Sequence, residues 1–345
     1  MTDPVSSFAP RLLAWHRLSG RHDLPWQNTR DAYRIWLSEI MLQQTQVETV
    51  IPYYARFLAA FPDIAALAAA PVEAVMGLWS GLGYYARARN LHACAQQVVR
   101  EHGGVFPATA GQIATLPGIG RSTAAAIAAF SQGERVAILD GNVKRVLCRV
   151  FGIAGFPGST AVEKQLWALA ESLLPAAQIG DYIQAQMDLG ATVCTRGTPR
   201  CGMCPLAEDC VARRSGRIAE LPTPRPRKRP PLRQAHLAII RRGDAVLLER
   251  RPPTGIWGGL LGLPEVDGTD VARWLAERFG VAAQSINRGE VLRHTFTHFV
   301  LDITPACIAL PGDAMPTLTD AQQWVPMTAL AEAALPAPVR SLLAR

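Results

Sequence analysis

Through the first two thirds of the chain, apolar residues recur at helical spacing. From about residue 8 to 212 they form Ala-rich and Leu-rich stretches, and few runs alternate apolar with polar. Such a recurrence puts apolar side chains on one face of a helix. Phe61-Pro62, Ala70-Pro71, Gly81-Leu82-Gly83 and Pro117-Gly118 punctuate the stretches and predict helix boundaries. Residues 222–231 then hold five prolines and the basic Arg225, Arg227, Lys228 and Arg229. That composition predicts a stiff, extended linker. Beyond it the pattern changes. Ala235–Ile240 and Ala245–Glu249 flank Arg241-Arg-Gly-Asp244, which predicts a β-hairpin. A Gly/Trp-rich loop follows at 255–262, then a helix near 269–279 and strand-like segments near 290–305. No internal repeat is visible. The fold expected is multidomain: an all-α domain over 1–215, a Pro/Arg-rich linker over 216–234 and an α+β domain over 235–345.

Composition narrows the class. A chain of 345 residues with 49% hydrophobic content suits two or three globular domains. No uncharged apolar run reaches the length of a membrane span, and Met1–Pro10 lacks the layout of a signal peptide. The expectation is a cytoplasmic protein, nucleoid-associated if bacterial, with no membrane partner and a monomeric state. In a reducing compartment the seven cysteines favour ligation over disulfides. The net charge of +7 is local: residues 213–233 hold eight Lys/Arg and one acid, Glu220. A basic balance permits nucleic-acid binding, although a basic linker is equally a solvated linker.

Cys194, Cys201, Cys204 and Cys210 follow the spacing Cys-x6-Cys-x2-Cys-x5-Cys. Four thiolates so close in sequence can surround one ion or cluster, and thiolate-only sites select zinc or iron–sulfur. Ligand type leaves those two open. Cys94, Cys148 and Cys307 are isolated and read as core thiols.

Leu116-Pro-Gly-Ile-Gly-Arg-Ser-Thr-Ala-Ala-Ala-Ile127 sets a Gly-rich turn directly before an Ala-rich helix. Gly118 and Gly120 allow close backbone approach, the helix start offers free N–H groups to phosphate, and Arg121 adds a charge. A bare Gly-x-Gly before a helix is equally often only a loop. Two carboxyls stand out. Glu39 lies in the apolar Ile35-Trp-Leu-Ser-Glu-Ile-Met-Leu42, where lost solvation should raise its pKa. Asp140 precedes Gly-Asn-Val-Lys-Arg, which predicts an N-cap held ionised by backbone N–H groups and the helix dipole. Without further information Glu39 is as well an exposed helix acid, and Asp140 a plain cap. Thr45 and Glu48 have capping-box spacing, so a new helix is expected there, with Gln43 and Gln44 at the junction.

Taken together these segments resemble the adenine-removing MutY family of the endonuclease III superfamily. The resemblance rests on Leu37-Ser-Glu-Ile-Met-Leu-Gln-Gln-Thr-Gln-Val47, Gly81-Leu-Gly-Tyr-Tyr85, the Gly-rich hairpin, Val136–Val146 and the cysteine cluster, and it spans roughly residues 8–310. It implies an all-α helix–hairpin–helix glycosylase with a [4Fe–4S] loop, followed by a nudix-like domain. It further implies double-stranded DNA carrying A:8-oxoguanine or A:G as the partner, and base flipping as the mode of access. Glu39 would then be the general acid at adenine N7 and Asp140 the stabiliser of the sugar cation, with Asn142 holding its loop. Leu42 and Gln44 would open the duplex, Gln43 beside them would bind substrate, and Tyr84 would intercalate beside the oxidised guanine. Trp26, Gln27 and Asp188 would line the adenine pocket.

Bifunctional relatives place a Schiff-base lysine two residues after the second hairpin glycine. Ser122 stands there in this chain, and it cannot form the imine. A monofunctional glycosylase is the expectation. Lys144, one turn past Asp140, would at most trap an abasic sugar. In the second domain, Leu247-Leu-Glu-Arg-Arg-Pro-Pro-Thr-Gly-Ile-Trp-Gly-Gly-Leu260 and Gly262-Leu-Pro-Glu265 resemble the nudix-like domain of that family. The following helix carries a single glutamate, Glu277, so the magnesium site of a hydrolase is missing. His294-Thr-Phe-Thr-His-Phe299 resembles the loop that reads oxidised guanine, with Phe296, Thr297 and His298 at the reading positions. The rival readings are a bifunctional endonuclease III-like lyase, a non-catalytic cluster-bearing DNA-binding protein and a zinc-binding nudix hydrolase.

Overall fold

The computed structural model describes residues 4–226, 230–252, 255–296, 298–330 and 332–345. Thr297 therefore lies outside the described residues. The chain divides into two compact units: Met1–Ala70 with Asn90–Arg227, and Pro71–Arg89 with Lys228–Arg345. Among the described residues no helix is long and apolar enough to cross a membrane.

The helices run in chain order as α1 (Pro4–Ser19), α2 (Ala32–Leu42), α3 (Val47–Ala60), α4 (Ile64–Ala69), α5 (Val72–Trp79), α6 (Ala86–His102), α7 (Ala110–Ile113), α8 (Arg121–Gln132), α9 (Gly141–Phe151), α10 (Thr160–Ser172), α11 (Ile179–Asp188) and α12 (Val211–Arg214). In α2 the residues Tyr33, Ile35, Trp36, Leu37, Ser38, Ile40 and Met41 are buried. A helix apolar nearly all round belongs inside the protein. It packs on α8, whose buried Ala124, Ala125, Ala126, Ala128 and Ala129 present little bulk. Phe8 and Leu12 of α1, Val143, Val146 and Leu147 of α9, and Tyr182 and Ile183 of α11 share one core. At its end α11 widens into a π-helical turn, Leu189–Val193, which delivers the chain to Cys194. The Thr45–Glu48 capping box does not form: α3 starts at Val47 with Gln46 as an N-cap that makes no side-chain bond. Thr45 Oγ1 instead donates to Gln43 O at 3.5 Å within the α2–α3 junction.

The linker stays attached to the helical unit further than its composition predicts. Leu221 is buried in the helical core, and its carbonyl accepts from Arg149 Nε at 2.8 Å. Thr223 Oγ1 accepts from Gly155 N at 3.0 Å.

The second unit is built on a seven-stranded sheet. Its strands are β1 (Leu232–Arg242), β2 (Ala245–Arg250), β3 (Leu261–Gly262), β4 (Ser285–Arg288), β5 (Leu292–Thr295), β6 (Val300–Ala309) and β7 (Gln322–Pro326). The order is β3-β2-β1-β6-β4, with β5 also on β6 and β7 on β2. The expected hairpin closes with Arg242 opposite Ala245. At the centre β1 and β6 run parallel, from Leu232 opposite Val300 to Arg241 opposite Ala309. Leu237 and Ile239 face α14 (Ala337–Leu343), whereas Ala238 and Ile240 face α13 (Val271–Phe279). Covering both faces is why β1 carries a continuous apolar run rather than an alternation.

Candidate active site

Asp140 is the N-cap of α9, and its Oδ1 accepts from Val143 N at 2.7 Å. Its Oδ2 accepts from Asn142 Nδ2 at 3.1 Å. Asn142 is held in turn by Arg145, whose Nη2 donates to Asn142 Oδ1 and to Gly190 O, both at 2.8 Å. Gly190 is a close approach: a Cβ there would lie 2.5 Å from Asn142 Cβ. The cap, the helix dipole and Arg145 all favour the ionised carboxylate. Burial outweighs them, and the Asp140 carboxyl lies above its ordinary range. This corrects the expectation from capping alone.

Glu39 keeps partial exposure near the end of α2. Burial, then the Asp140 charge, pushes its carboxyl up to about 8. The two groups are thus in electrostatic reach, and a charge on Asp140 helps Glu39 keep its proton. Ser122 joins the arrangement, since its Oγ accepts from Leu139 N at 3.0 Å and ties the start of α8 to the residue before Asp140. Gln43 Nε2 donates to Thr123 Oγ1 at 3.5 Å across the α2–α8 contact. Leu42 and Gln43 are half-buried, and Gln44 is exposed at a left-handed φ of 59°.

The hairpin is built as expected around Gly118, whose φ is +74° and where a Cβ would meet Asn90 Cβ at 2.6 Å. Gly120 caps α8 without a side-chain bond. Arg121 has partners within the protein: it pairs with Glu171 at 2.5 Å and stands 3.8 Å from the centre of the Trp167 ring. Lys144 pairs with Glu163 at 2.5 Å.

Asp188 is placed differently from a group that meets a base. It is fully buried, and its Oδ2 accepts from Arg21 N while Oδ1 accepts from Arg21 Nε, both at 2.8 Å. Gln184 Nε2 adds a bond at 2.9 Å, and His16 Nε2 stands 3.4 Å from Oδ2. Asp188 therefore anchors the loop that follows α1. Within that loop Gln27 Oε1 accepts from Leu24 N and its Nε2 donates to Arg21 O, both at 3.0 Å. Trp26 is buried edge-on against Tyr54.

The four cysteines line one small pocket together with Val146, Arg149, Leu189, Val193 and Ile218. They ring a space rather than close on a point: among the described residues no group of three His, Cys, Asp or Glu is set to grip a single metal ion. A lining of four thiols and apolar side chains fits a thiolate-held centre, whether iron–sulfur or zinc. Away from it Cys94 and Cys148 are buried, whereas Cys307 is exposed, which corrects its reading as a core thiol. Buried Arg149 donates to Cys194 Sγ at 3.4 Å and to Thr195 O at 2.7 Å. Cys210 Sγ donates to Arg149 O at 3.4 Å. Arg145 and Arg149 are the site residues sequence reasoning missed. Their i, i+4 spacing on the helix that Asp140 caps is the signal that would have marked them.

In the second unit, Phe296 stacks on Phe299 at 4.4 Å and meets His294 edge-on at 4.6 Å. His298 is exposed, 5.4 Å from the Phe299 ring. Tyr84 belongs to the same unit and is half-exposed. Glu277 on α13 pairs with Arg273 at 2.7 Å.

Comparison with known proteins agrees with this fold. Residues 37–172 match the HhH-GPD superfamily of base excision DNA repair proteins, and residues 235–345 match the NUDIX domain. The adenine DNA glycosylase of Buchnera aphidicola subsp. Acyrthosiphon pisum is 39% identical over 308 residues, 88% of this chain and 87% of its own. That of Homo sapiens is 36% identical over 388 residues, 93% of this chain and 70% of its own. A thermostable thymine-DNA glycosylase superposes with a TM-score of 0.57 at 29% identity, over 61% of this chain and 97% of that one. An endonuclease III structure shares the fold, with a TM-score of 0.53 at 18% identity, over 63% of this chain and 99% of that one. Fold and site define a helix–hairpin–helix DNA glycosylase of base excision repair, joined to a nudix-like domain. The chain belongs to the adenine DNA glycosylase family.

Proposed function

We propose that this glycosylase excises adenine paired with 8-oxoguanine or guanine in duplex DNA, leaving an abasic site and no strand break. The observation that carries the reading is a pair of carboxyls in electrostatic reach: Glu39 on α2, pushed up to about 8, and Asp140 at the start of α9, with both oxygens fixed by Val143 and Asn142. Cleaving an N-glycosidic bond needs a proton for the departing base and a negative charge for an oxocarbenium-like sugar. Glu39, with its carboxyl near 8, holds that proton at pH 7. It passes the proton to a ring nitrogen of the flipped adenine, and the base leaves with the bonding electrons. Asp140 faces the resulting cation, and Asn142 fixes the orientation of its carboxylate. Water completes the sugar, and its proton returns to a carboxylate. Leu42, Gln43, Gln44 and Tyr84 serve to open the duplex, and Gly118 and Gly120 seat a phosphate at the start of α8. Trp26 and Gln27 shape the base pocket, which Asp188 supports from behind. Phe296, Thr297 and His298 read the opposite base.

The monofunctional assignment rests on Ser122, which is committed to Leu139 N, and on Lys144, which is paired with Glu163. Cys194, Cys201, Cys204 and Cys210 would hold a [4Fe–4S] cluster, which when bound supplies four iron–thiolate cross-links to the loop. The enzyme is proposed to act as a monomer in the compartment that holds the chromosome.

The test is single-turnover adenine release from an A:8-oxoguanine duplex. The parent should release adenine, and Glu39→Gln should be slower by at least about 100-fold, the usual contribution of a general acid. Equal rates would overturn the assignment of Glu39. A borohydride-trapped adduct formed as fast as base release would favour the lyase.

A further inference from the structure

Residues 71–89 lie in sequence between helices of the first unit, yet they pack with residues 228–345. Three arginines join the two segments. Arg250 pairs with Glu73 at 3.4 Å, and Arg340 Nη2 donates to Ser80 Oγ at 3.4 Å. These are long contacts, and the Arg250 pair is exposed, so they add little. The third is different: half-buried Arg89 donates through Nη1 to Gly258 O at 2.5 Å.

Each end of that bond adjoins an unusual loop: Arg89 N donates to Tyr85 O at 3.2 Å, and Gly258 follows Trp257 in the chain. On one side, Gly81, Gly83 and Tyr84 all have positive φ, of 100°, 70° and 49°. Buried Arg87 holds this turn by donating to Leu82 O at 3.1 Å and Gly83 O at 3.2 Å. Trp79 Nε1 donates to the same Gly83 carbonyl at 3.2 Å. The Tyr84 ring is left 50% exposed. On the other side stands Trp257, an aromatic residue at φ +55°. Its ring centre is 5.8 Å from Phe296 and 6.3 Å from His294. Arg251 steadies the loop from within through Ile256 O at 3.0 Å. Side chains other than glycine are strained at such backbone angles and stay there only where their surroundings hold them.

We infer that Arg89 is a specificity-determining positioning residue, whose bond to Gly258 O holds the Trp257–Phe296 cluster in fixed register with the Tyr84 turn, so that both loops meet the base opposite the excised adenine as one unit. The inference rests on the proposed reading that Tyr84 and Phe296 contact that base. Guanine and its 8-oxo derivative differ by one oxygen and one proton. Telling them apart needs contacts held at a fixed spacing, because a loose loop accepts both.

The test uses the full-length, cluster-loaded enzyme as parent, Arg89→Ala, Arg89→Lys and Tyr84→Ala, and the Arg89→Ala/Tyr84→Ala double variant. Adenine release is timed in single turnover on A:8-oxoguanine and A:G duplexes. Affinity is measured with the same duplexes carrying a non-cleavable adenine analogue. Arg89→Ala should lower the A:8-oxoguanine to A:G ratio of both rate and affinity about 10-fold, with the A:G rate within about twofold of the parent. Arg89→Lys, which keeps a charged donor, should recover part of the ratio. The double variant should discriminate no worse than Tyr84→Ala. An unchanged ratio, an equal loss on both duplexes, no recovery with lysine or additive losses in the double variant would each overturn the inference. A parent that releases adenine from neither duplex would contradict the proposed activity and the role of Arg89 with it.

Discussion

A carboxyl deprived of water keeps its proton to higher pH, and a neighbouring negative charge adds to the effect. Glu39 has both influences, and Asp140 has burial opposed by an N-cap bond, Asn142 and Arg145. The arrangement has a cost in stability. The Glu39 carboxyl rises from 4.5 to about 8 on folding, so between those values the folded chain binds more protons than the unfolded one. Its contribution to stability is complete below the unfolded value and is lost as pH climbs through the folded one. Glu39→Gln is neutral throughout and escapes that loss. Its thermal midpoint should therefore overtake the parent's between about pH 5 and pH 8, by at least about 2 °C. A gap that is constant with pH in scanning calorimetry would contradict the burial of Glu39. A second residue-scale outcome concerns Gly190. A methyl group there would meet Asn142 Cβ at 2.5 Å, so Gly190→Ala should displace the side chain that holds Asp140. Single-turnover adenine release should slow about 10-fold or more, while affinity for undamaged duplex stays within about twofold. Of these residues, Glu39 and Asp140 were legible from sequence because an acid in an apolar helix and an acid before Gly-Asn are local features. The true direction for Asp140 was not legible, because it depends on how much protein surrounds the carboxyl.

At the scale of elements, α9 is the piece on which the site depends. It starts at Asp140, and one and two turns later its Arg145 and Arg149 reach the cysteine loop. Arg145 Nε donates to Cys194 O at 2.7 Å, and Arg149 is buried beside Cys194 and Cys210. Arg149→Met keeps much of the length and loses the side-chain bonds to Cys194 Sγ, Thr195 O and Leu221 O. The protein should purify with at least about half of its iron and acid-labile sulfide lost, because partners outside the ligand shell hold the ligands in place. Full iron content in this variant would show that the cysteines assemble the loop unaided. The helix and hairpin of the second unit were visible as periodicity, as were the helices of the first. The Thr45–Glu48 box misled because the helix starts one residue later than that spacing requires, at Val47 with Gln46 as its N-cap. The parallel pairing of β1 with β6 joins residues far apart in the chain, and local pattern carries no sign of it.

At the scale of the molecule, chain order and spatial grouping diverge. A reading from the N-terminus assigns residues 71–89 to the helical half, because nothing in their composition marks them as distinct, yet they pack with the nudix-like half. That half matches the nudix domain, and its α13 carries a single glutamate, Glu277, paired with Arg273, from which we propose that it hydrolyses no nucleotide. With magnesium and 8-oxo-dGTP the protein should release no pyrophosphate above a buffer control, and release that depends on Glu277 would contradict this account. The most direct test of the central claim is the pH dependence of single-turnover adenine release from an A:8-oxoguanine duplex. If Glu39 is the acid, the rate should hold through neutrality and fall about tenfold per unit as pH rises beyond about 8, with an acid limb where Asp140 takes up a proton. A rate that stays level or rises from pH 7 to above pH 9 would mean that Glu39 does not deliver the proton.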